Sequence, residues 1–452
     1  MFLSKKKAKI KIFFVGMVDS VHVARWISQI GDQDWEIYLF PVEWYVPNPE
    51  FRNVSIFGTK FFRPAYLDPS VRYIRWSSLS FYLDKLKWIL TRKATTFFHE
   101  QALLYAIQRI KPDIVHSLEF QHAGYLTLTA NQKLGGKFPI WIATSWGSDI
   151  YLFGRLSEHQ QTIRALMANC DYYSCECVRD IQLGRDMGYH GPLLPVLPSR
   201  GGFKIDHMMS FRQPGPVSKR KTIIVKGYQS WAGRALVAFR ALRRSLDLLQ
   251  GYSIVMYAVV EDVKIAARLF EQETGIPIRI IPPLSPEEEI LRGFGSARIY
   301  IGLGISDGIS TSLLEAMVMG AFPIQSCTAC ADEWIQDGKS GFIVPPEEPG
   351  EIGMAVRRAL LDDALVDQAA EMNERTARER LDYPVVKSQA TKIYEDILHS
   401  KAEVIAARPT QVIKRHWMLH AIVLRIRPIV RRLLPGPVYR FLQSHLRKLV
   451  ES

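Results

Sequence analysis

The feature that most constrains this chain is a rhythm. Short apolar runs alternate with amphipathic stretches of helical period. The runs fall at 10–15, 36–40, 114–116, 140–143, 172–174 and 193–196, and a second series at 222–225, 253–256, 278–280, 298–301 and 342–344. Helical periodicity fills the gaps, as at 23–30, 235–249 and 312–319. Short strands that are apolar on both faces must be covered on both faces, which predicts an α/β fold with parallel, doubly wound sheets. Between the two series, residues 197–221 are rich in Pro, Gly and charge and have no apolar period. They read as a linker. The expected organisation is an N-terminal Rossmann-like domain over 1–200, a linker over 201–220 and a second Rossmann-like domain over 221–383. Two such sheets leave a cleft at the C-terminal ends of their strands, where ligands bind.

The chain is 48% hydrophobic and 23% charged over 452 residues, which excludes a disordered chain or a small disulfide scaffold. Five cysteines, odd in number and unevenly spaced, fit a reducing compartment. Cys327-x-x-Cys330 and Cys175-x-Cys177 lack a second Cys/His pair at zinc spacing, so free thiols and no metal are expected. No run reaches the roughly 18 apolar residues of a spanning helix. The run 12–18 ends at Asp19 without a small-residue cleavage motif, so it reads as a buried first strand and the protein as cytoplasmic. The net charge of +13 is concentrated: residues 404–452 hold ten Lys and Arg against one acid, Glu451. The body is only mildly basic, which argues against a nucleic-acid groove.

The most informative stretch is 297–326. A buried strand runs into the loop Gly302–Gly308, and Ser310, Thr311 and Ser312 then open a helix closed by Gly320. Free N–H groups at a helix start, hydroxyls and close backbone approach make a diphosphate site. Gly302-Leu-Gly304 partly mimics a dinucleotide fingerprint, but Asp307 stands where the third glycine belongs, and the motif comes late in the domain. Asp307 and Glu315 instead flank the helix start, placed to accept bonds from sugar and ribose hydroxyls. Ser312-x-x-Glu315 also fits a capping box, and that alternative stays open.

This stretch resembles the family 4 retaining glycosyltransferases, whose mark is an acid-x7-acid motif followed by Ala, Gly and a Pro-led strand. Here it reads Asp307-x7-Glu315, then Ala316, Gly320 and Pro323, with Asp307 one methylene shorter than the usual Glu. The resemblance implies the GT-B fold: two Rossmann-like domains facing across a cleft, with 384–403 as the closing helix. It implies a nucleotide-diphosphate sugar as donor substrate and no cofactor. Asp307 would contact the donor sugar, Glu315 the ribose, and Gly308 and Ser310–Ser312 the diphosphate. The family's Arg and Lys after the domain's first strand fall on Tyr228 and Gly233 here. Arg234 and Lys226 are the candidates to supply the missing charge, with Arg234 alternatively a solvated helix-start residue.

In the N-terminal half, the resemblance places the loop at Gly16 facing the donor phosphates and acceptor. His22 sits at the following helix start, as ligand or as cap. The family's cleft histidine falls on Leu118, leaving His122 as its candidate replacement and His116 as a strand-end residue. Trp146-Gly147-Ser148-Asp149 stands where the family has His-Gly-x-Asp; Asp149 would hold an acceptor hydroxyl or cap a helix. On these grounds Asp307, Asp149 and His122 are the catalytic candidates.

The tail 404–452 alternates apolar and basic residues. Trp417, Arg425, Arg427, Arg431, Arg432, Arg440, Arg447 and Lys448 would bind an anionic membrane surface, with 81–93 as a second basic candidate. A helix docked on the body or on a partner is the alternative. The expected function is a metal-independent retaining glycosyltransferase. It would act peripherally on the inner face of the cell membrane, moving a sugar to a glycan or lipid-linked acceptor in polysaccharide or glycolipid synthesis. A nucleotide-sugar 2-epimerase and a non-catalytic donor-binding scaffold are the rivals.

Overall fold

The computed structural model describes residues 9–43, 45–58, 63–75, 86, 97–283 and 285–408. The first sheet holds β1 (Ile10–Gly16), β2 (Trp35–Pro41), β3 (Ser55–Gly58), β4 (Arg72–Arg75), β5 (Ile114–Leu118), β6 (Ile140–Thr144) and β7 (Tyr172–Ser174). All pairs are parallel, in the order β4-β3-β2-β1-β5-β6-β7. The second sheet holds β8 (Thr222–Lys226), β9 (Ser253–Tyr257), β10 (Ile278–Ile280), β11 (Ala297–Gly302), β12 (Phe322–Ser326) and β13 (Phe342–Val344). It too is fully parallel, in the order β10-β9-β8-β11-β12-β13. Each is doubly wound, with its switch point beside its first strand: β1 against β5, and β8 against β11. The loops after these strands therefore build the cleft, and the fold is GT-B.

Periodicity located most strands, and the first apolar run is β1, paired on both sides. Three expectations need correction. Residues 193–196 form no strand, only an isolated bridge from Leu193 to Tyr173. Two further strands, the edge strand β4 and β3 beside it, arise where no apolar run stands out, because each is only four residues long. The helix expected over 235–249 ends at Leu242 and continues as a 3-10 turn, Arg243–Leu248, because Ser245 leaves helical geometry at φ −128°.

The linker is also not a loose tether. Phe203, Ile205 and Met208 bury themselves in the core of the second lobe around a short helix, Ile205–Met209. Arg212 donates to the Val318 carbonyl and pairs with Glu374 at 2.7 Å. Flanking Gly and Pro hid this apolar triplet from a periodicity reading. The helix Tyr383–His399 returns to the first lobe, where Ala390, Ile393, Tyr394 and Ile397 join its core. The Tyr394 hydroxyl accepts from Trp26 Nε1 and bonds His116 Nδ1, both at 2.8 Å.

A short helix, Lys401–Ala407, follows, and Arg408 docks on the body through Asp171 and the carbonyls of Phe138 and Pro139. The docked body thus extends through 408 rather than ending at 403, and Arg408 is already paired. Trp417, Arg425, Arg427, Arg431, Arg432, Arg440, Arg447 and Lys448 lie outside the described residues, as does 81–93 except Leu86. Among the described residues no helix is long and apolar enough to cross a membrane.

Candidate functional site

The second lobe's contribution begins where β11 ends. Leu313, Leu314, Ala316, Met317 and Val318 are fully buried, which pins the helix Thr311–Met319 against the sheet, and Gly320 ends it at φ 79°. Its N-cap is Ser310, which makes no side-chain cap bond. Ser312 therefore lies inside the first turn, and the capping-box reading of Ser312 and Glu315 fails.

The preceding loop is stitched to the loop after β8: Gly233 bridges Gly304, Ile305 N donates to the Ala232 carbonyl at 2.8 Å, and Arg234 N to Leu303 at 3.1 Å. Asp307 N donates to Thr328 and Gly308 N to Trp146. Most amides of the glycine loop are thus engaged. The first-turn amides of Thr311 and Ser312, which have no acceptor within a helix, remain for an anion. A small cavity of about 50 Å³ lies beside them, lined by Lys226, Gly233, Gly304, Asp307, Ser310 and Gln325 among others.

The two acids flank this helix start as expected. Burial pushes the Asp307 carboxyl up, and Lys226 is the main charge opposing that shift. Burial also raises Glu315, with Arg200 its main counter-charge. Arg200 Nη1 stands 3.3 Å from Glu315 Oε1, and its Nη2 bonds Glu287 Oε1 at 2.9 Å. Glu287 is shared with Arg25 at 2.6 Å, and Arg25 in turn pairs with Glu50. A cavity of about 320 Å³ adjoins this network at the hinge, lined by Arg25, Gln29, Glu50, Arg200, Glu287 and Tyr383 among others. His22 faces the same cations; burial, then Arg200, Arg25 and Lys226, lower its pKa to about 4. It is not a cap, since the Ser20 hydroxyl caps that helix by accepting from Val23 N.

The charge expected from Arg234 comes from elsewhere. Arg234 turns to Glu347 at 2.7 Å and to the carbonyls of Ser230 and Gly233. At Gly233, the family's Lys position, an added Cβ would stand 2.0 Å from the Tyr228 carbonyl oxygen, so no side chain fits there. Lys226 and Arg200 are the cations on the acids. Arg200 escaped the sequence reading because it lies in the supposed linker, with no motif around it.

The first lobe's candidates divide. Asp149 is 3% exposed and spends both oxygens on backbone, accepting from Trp146 N at 2.7 Å and Phe120 N at 3.1 Å. It braces the Trp146–Ser148 turn from a buried position. Burial and the nearby Glu119 raise its pKa well above the carboxylate range. His122 is half-exposed, with Nδ1 3.1 Å from Glu119 Oε2; that bond raises its pKa. Glu119 holds a left-handed backbone (φ 82°) and accepts from the amides of Gln121 and His122. Leu118 and His116 are buried, and His116 bonds Tyr394 and Thr144. Gly16 ends β1, and an added Cβ would make only ordinary contacts, with Val23 and Leu118, at 3.5 to 3.6 Å. Sterics therefore do not demand a glycine there.

The lobes touch at the site. Gly308 N donates to the Trp146 carbonyl at 3.2 Å, and Ser306 Oγ to Ser148 Oγ at 2.9 Å. Gly147 takes φ +90°, and a Cβ there would stand 1.8 Å from Gly308 N. Arg179 reaches across to the carbonyls of Asp307 and Thr328 at 2.8 and 3.1 Å. Glu176 adds another acid at this contact, raised by burial and by Asp307, its Oε1 accepting from Ser199 N at 2.7 Å. Neither Arg179 nor Glu176 carried a sequence signal, because each acts across the lobes.

Two family models match the chain: "Glycosyl transferases group 1" over residues 267–379 and "Glycosyl transferase 4-like" over 81–175. No curated protein matches in sequence. Solved structures with the same fold include a glycosyltransferase from Rickettsia africae, with TM-score 0.61, 15% identity and coverage of 87% of this chain and 99% of that one. Anabaena HepE in complex with UDP-glucose aligns with TM-score 0.60, 12% identity and 86% and 100% coverage. Sucrose-phosphate synthase from Thermosynechococcus elongatus aligns with TM-score 0.62, 12% identity and 87% and 100% coverage. At such identities the structural likeness is one of fold. The family models add glycosyltransferase sequence in both lobes, and the resemblance at Asp307–Pro323 stands.

Proposed function

We propose that this chain, which matches glycosyltransferase models in both lobes, transfers a sugar from a nucleotide-diphosphate donor, with retention, to a membrane-associated glycan or lipid acceptor. The observation that carries this reading is the placement of Asp307 and Glu315 on either side of the helix start at Thr311, with Lys226 and Arg200 as their counter-charges. The diphosphate would accept bonds from the amides of Thr311 and Ser312 and from Lys226. Glu315 would accept the ribose diol, displacing Arg200, and Asp307 the donor sugar hydroxyls. As the sugar–oxygen bond breaks, charge builds on the diphosphate, where Lys226 and the helix start stabilise it. A donor phosphate oxygen would take the acceptor proton, so no protein base is assigned. His22, neutral at pH 7, lines the phosphate side of the cleft without adding charge. With these cations in place we propose that no divalent ion is needed, and that turnover persists in a chelator.

HepE was solved with UDP-glucose, which makes UDP sugars the first donors to test. Purified protein is incubated with labelled nucleotide sugars and membrane lipid extract. Label in lipid supports transfer, an isomerised nucleotide sugar means epimerisation, and binding without turnover means a scaffold. The basic tail is proposed to hold the enzyme on the inner face of the cell membrane for polysaccharide or glycolipid synthesis, each cation adding about 1 kcal/mol near an anionic surface. Removing residues 409–452, which spares the docked Arg408, should release the protein from anionic vesicles. Unchanged vesicle binding rejects the tail's role.

A further inference from the structure

Two thiols meet across the lobes. Cys177 lies beyond β7 of the first lobe and Cys330 beyond β12 of the second, and the Cys330 thiol donates to Cys177 Sγ at 2.9 Å. Both are buried, at 0% and 4% exposure. The chain around them is tied to the site: Val178 N donates to Glu333 Oε1 at 2.8 Å, and Arg179 bonds the Thr328 and Asp307 carbonyls. Cys330 also holds a left-handed backbone (φ 45°), so its side chain is aimed at Cys177 at some conformational cost. The sequence sets Cys175 near Cys177 and Cys327 near Cys330 and reads all as free thiols, whereas the fold brings one from each set together.

We propose that Cys177 and Cys330 form a redox modification site, whose oxidation to a disulfide cross-links the two lobes beside Asp307 and holds the cleft shut. With a peroxide as oxidant the step balances. One thiolate attacks a peroxide oxygen, giving a sulfenic acid and water. The second sulfur then displaces the hydroxyl, forming the S–S bond and a second water, so two thiols lose two electrons and two protons. Glu333 also approaches the pair within 4.8 Å, which raises zinc as an alternative. Two thiolates on tetrahedral zinc, each at about 2.3 Å, would stand about 3.8 Å apart, farther than these sulfurs, and Glu333 Oε1 is already engaged. The hydrogen bond with Cys330, and then burial, hold the Cys177 thiol far above its ordinary pKa, so the closed pair reacts slowly. Separation of the lobes would expose it, and a ligand that keeps the lobes together would protect it.

The test treats the full chain with hydrogen peroxide and maps peptides without reduction, while following UDP dissociation. The expected result is a linked peptide pair joining Cys177 to Cys330, loss of two free thiols, slowed UDP release and reversal by dithiothreitol. Cys330→Ser abolishes the link and Cys327→Ser preserves it. Links confined to Cys327–Cys330 or Cys175–Cys177, thiols that survive peroxide treatment, or thiols shielded by zinc that a chelator releases would each overturn the proposal. The peptide map on the wild-type chain decides even if a serine variant misfolds, and it holds whether or not UDP is the ligand.

Discussion

Arg200 is the residue whose removal tests the electrostatics of the site most sharply. It is 5% exposed, 3.3 Å from Glu315 and 2.9 Å from Glu287, with its guanidinium 4.0 Å above the Phe203 ring. Arg200→Met keeps the bulk over Phe203 but strips Glu315 of its main counter-charge, while Glu287 keeps Arg25. Removing one partner of a buried pair costs about 3 kcal/mol or more, because the other charge is left without compensation. Glu315 is already pushed up by burial and would rise further. A carboxyl whose folded pKa lies above its unfolded value stabilises the fold while protonated, and that contribution is lost as pH rises through the folded value. The variant's deficit should therefore be largest near pH 7.5 and shrink toward pH 5, by about 1.4 kcal/mol for each unit that the Glu315 pKa rises. Urea unfolding of the full chain at both pH values measures this. Adding Glu315→Gln should recover most of the loss. A deficit equal at both pH values, or a double variant as unstable as the sum of the singles, would refute the pairing.

Two further outcomes follow from the same geometry. Lys226→Ala should weaken UDP binding by about 2 kcal/mol, some thirtyfold, by isothermal calorimetry; unchanged affinity would remove Lys226 from the donor site. Gly147→Ala should abolish turnover while UDP affinity for the second lobe stays within a few-fold, since its Cβ would drive into Gly308 N and its φ of +90° strains any side chain by about 1 to 3 kcal/mol. Normal turnover in that variant would show that the lobes need not meet there.

The sheets were legible because buried parallel strands are continuous apolar runs, and the acids because their spacing is local to one strand–loop–helix unit. Strands β3 and β4, the docked linker and Arg200 were not. Phe203, Ile205, Met208, Met209 and Phe211 are scattered among polar residues between Gly202 and Gly215, and nothing local separates a packed segment from a tether. Arg234 drew attention by adjacency to the family's Lys position, but its neighbour in space is Glu347, 113 residues on. Asp149 occupies the family's acid position, yet its oxygens go to the amides of Trp146 and Phe120, the second of them 29 residues upstream. In each case the deciding partner is distant in sequence.

The departures from the family pattern belong together. With Gly233 too crowded for a side chain and Tyr228 in place of Arg, the loop after β8 contributes close backbone packing, and in the proposed site its charge would be supplied by Lys226 before it and Arg200 outside the lobe's sheet. Arg200 is not an isolated cation. Two residues on, Gly202 N donates to Gln29 of the first lobe at 3.2 Å, and through Glu287 Arg200 is joined to Arg25 of the same lobe. The counter-charge of the proposed ribose acid is thereby bonded into the hinge. A ligand that takes Glu315 from Arg200 breaks one contact of a network that holds both lobes, so donor binding and lobe position share a term in their free energies. A fixed Arg on the β8 loop, confined to one lobe, would bind the diphosphate without that coupling.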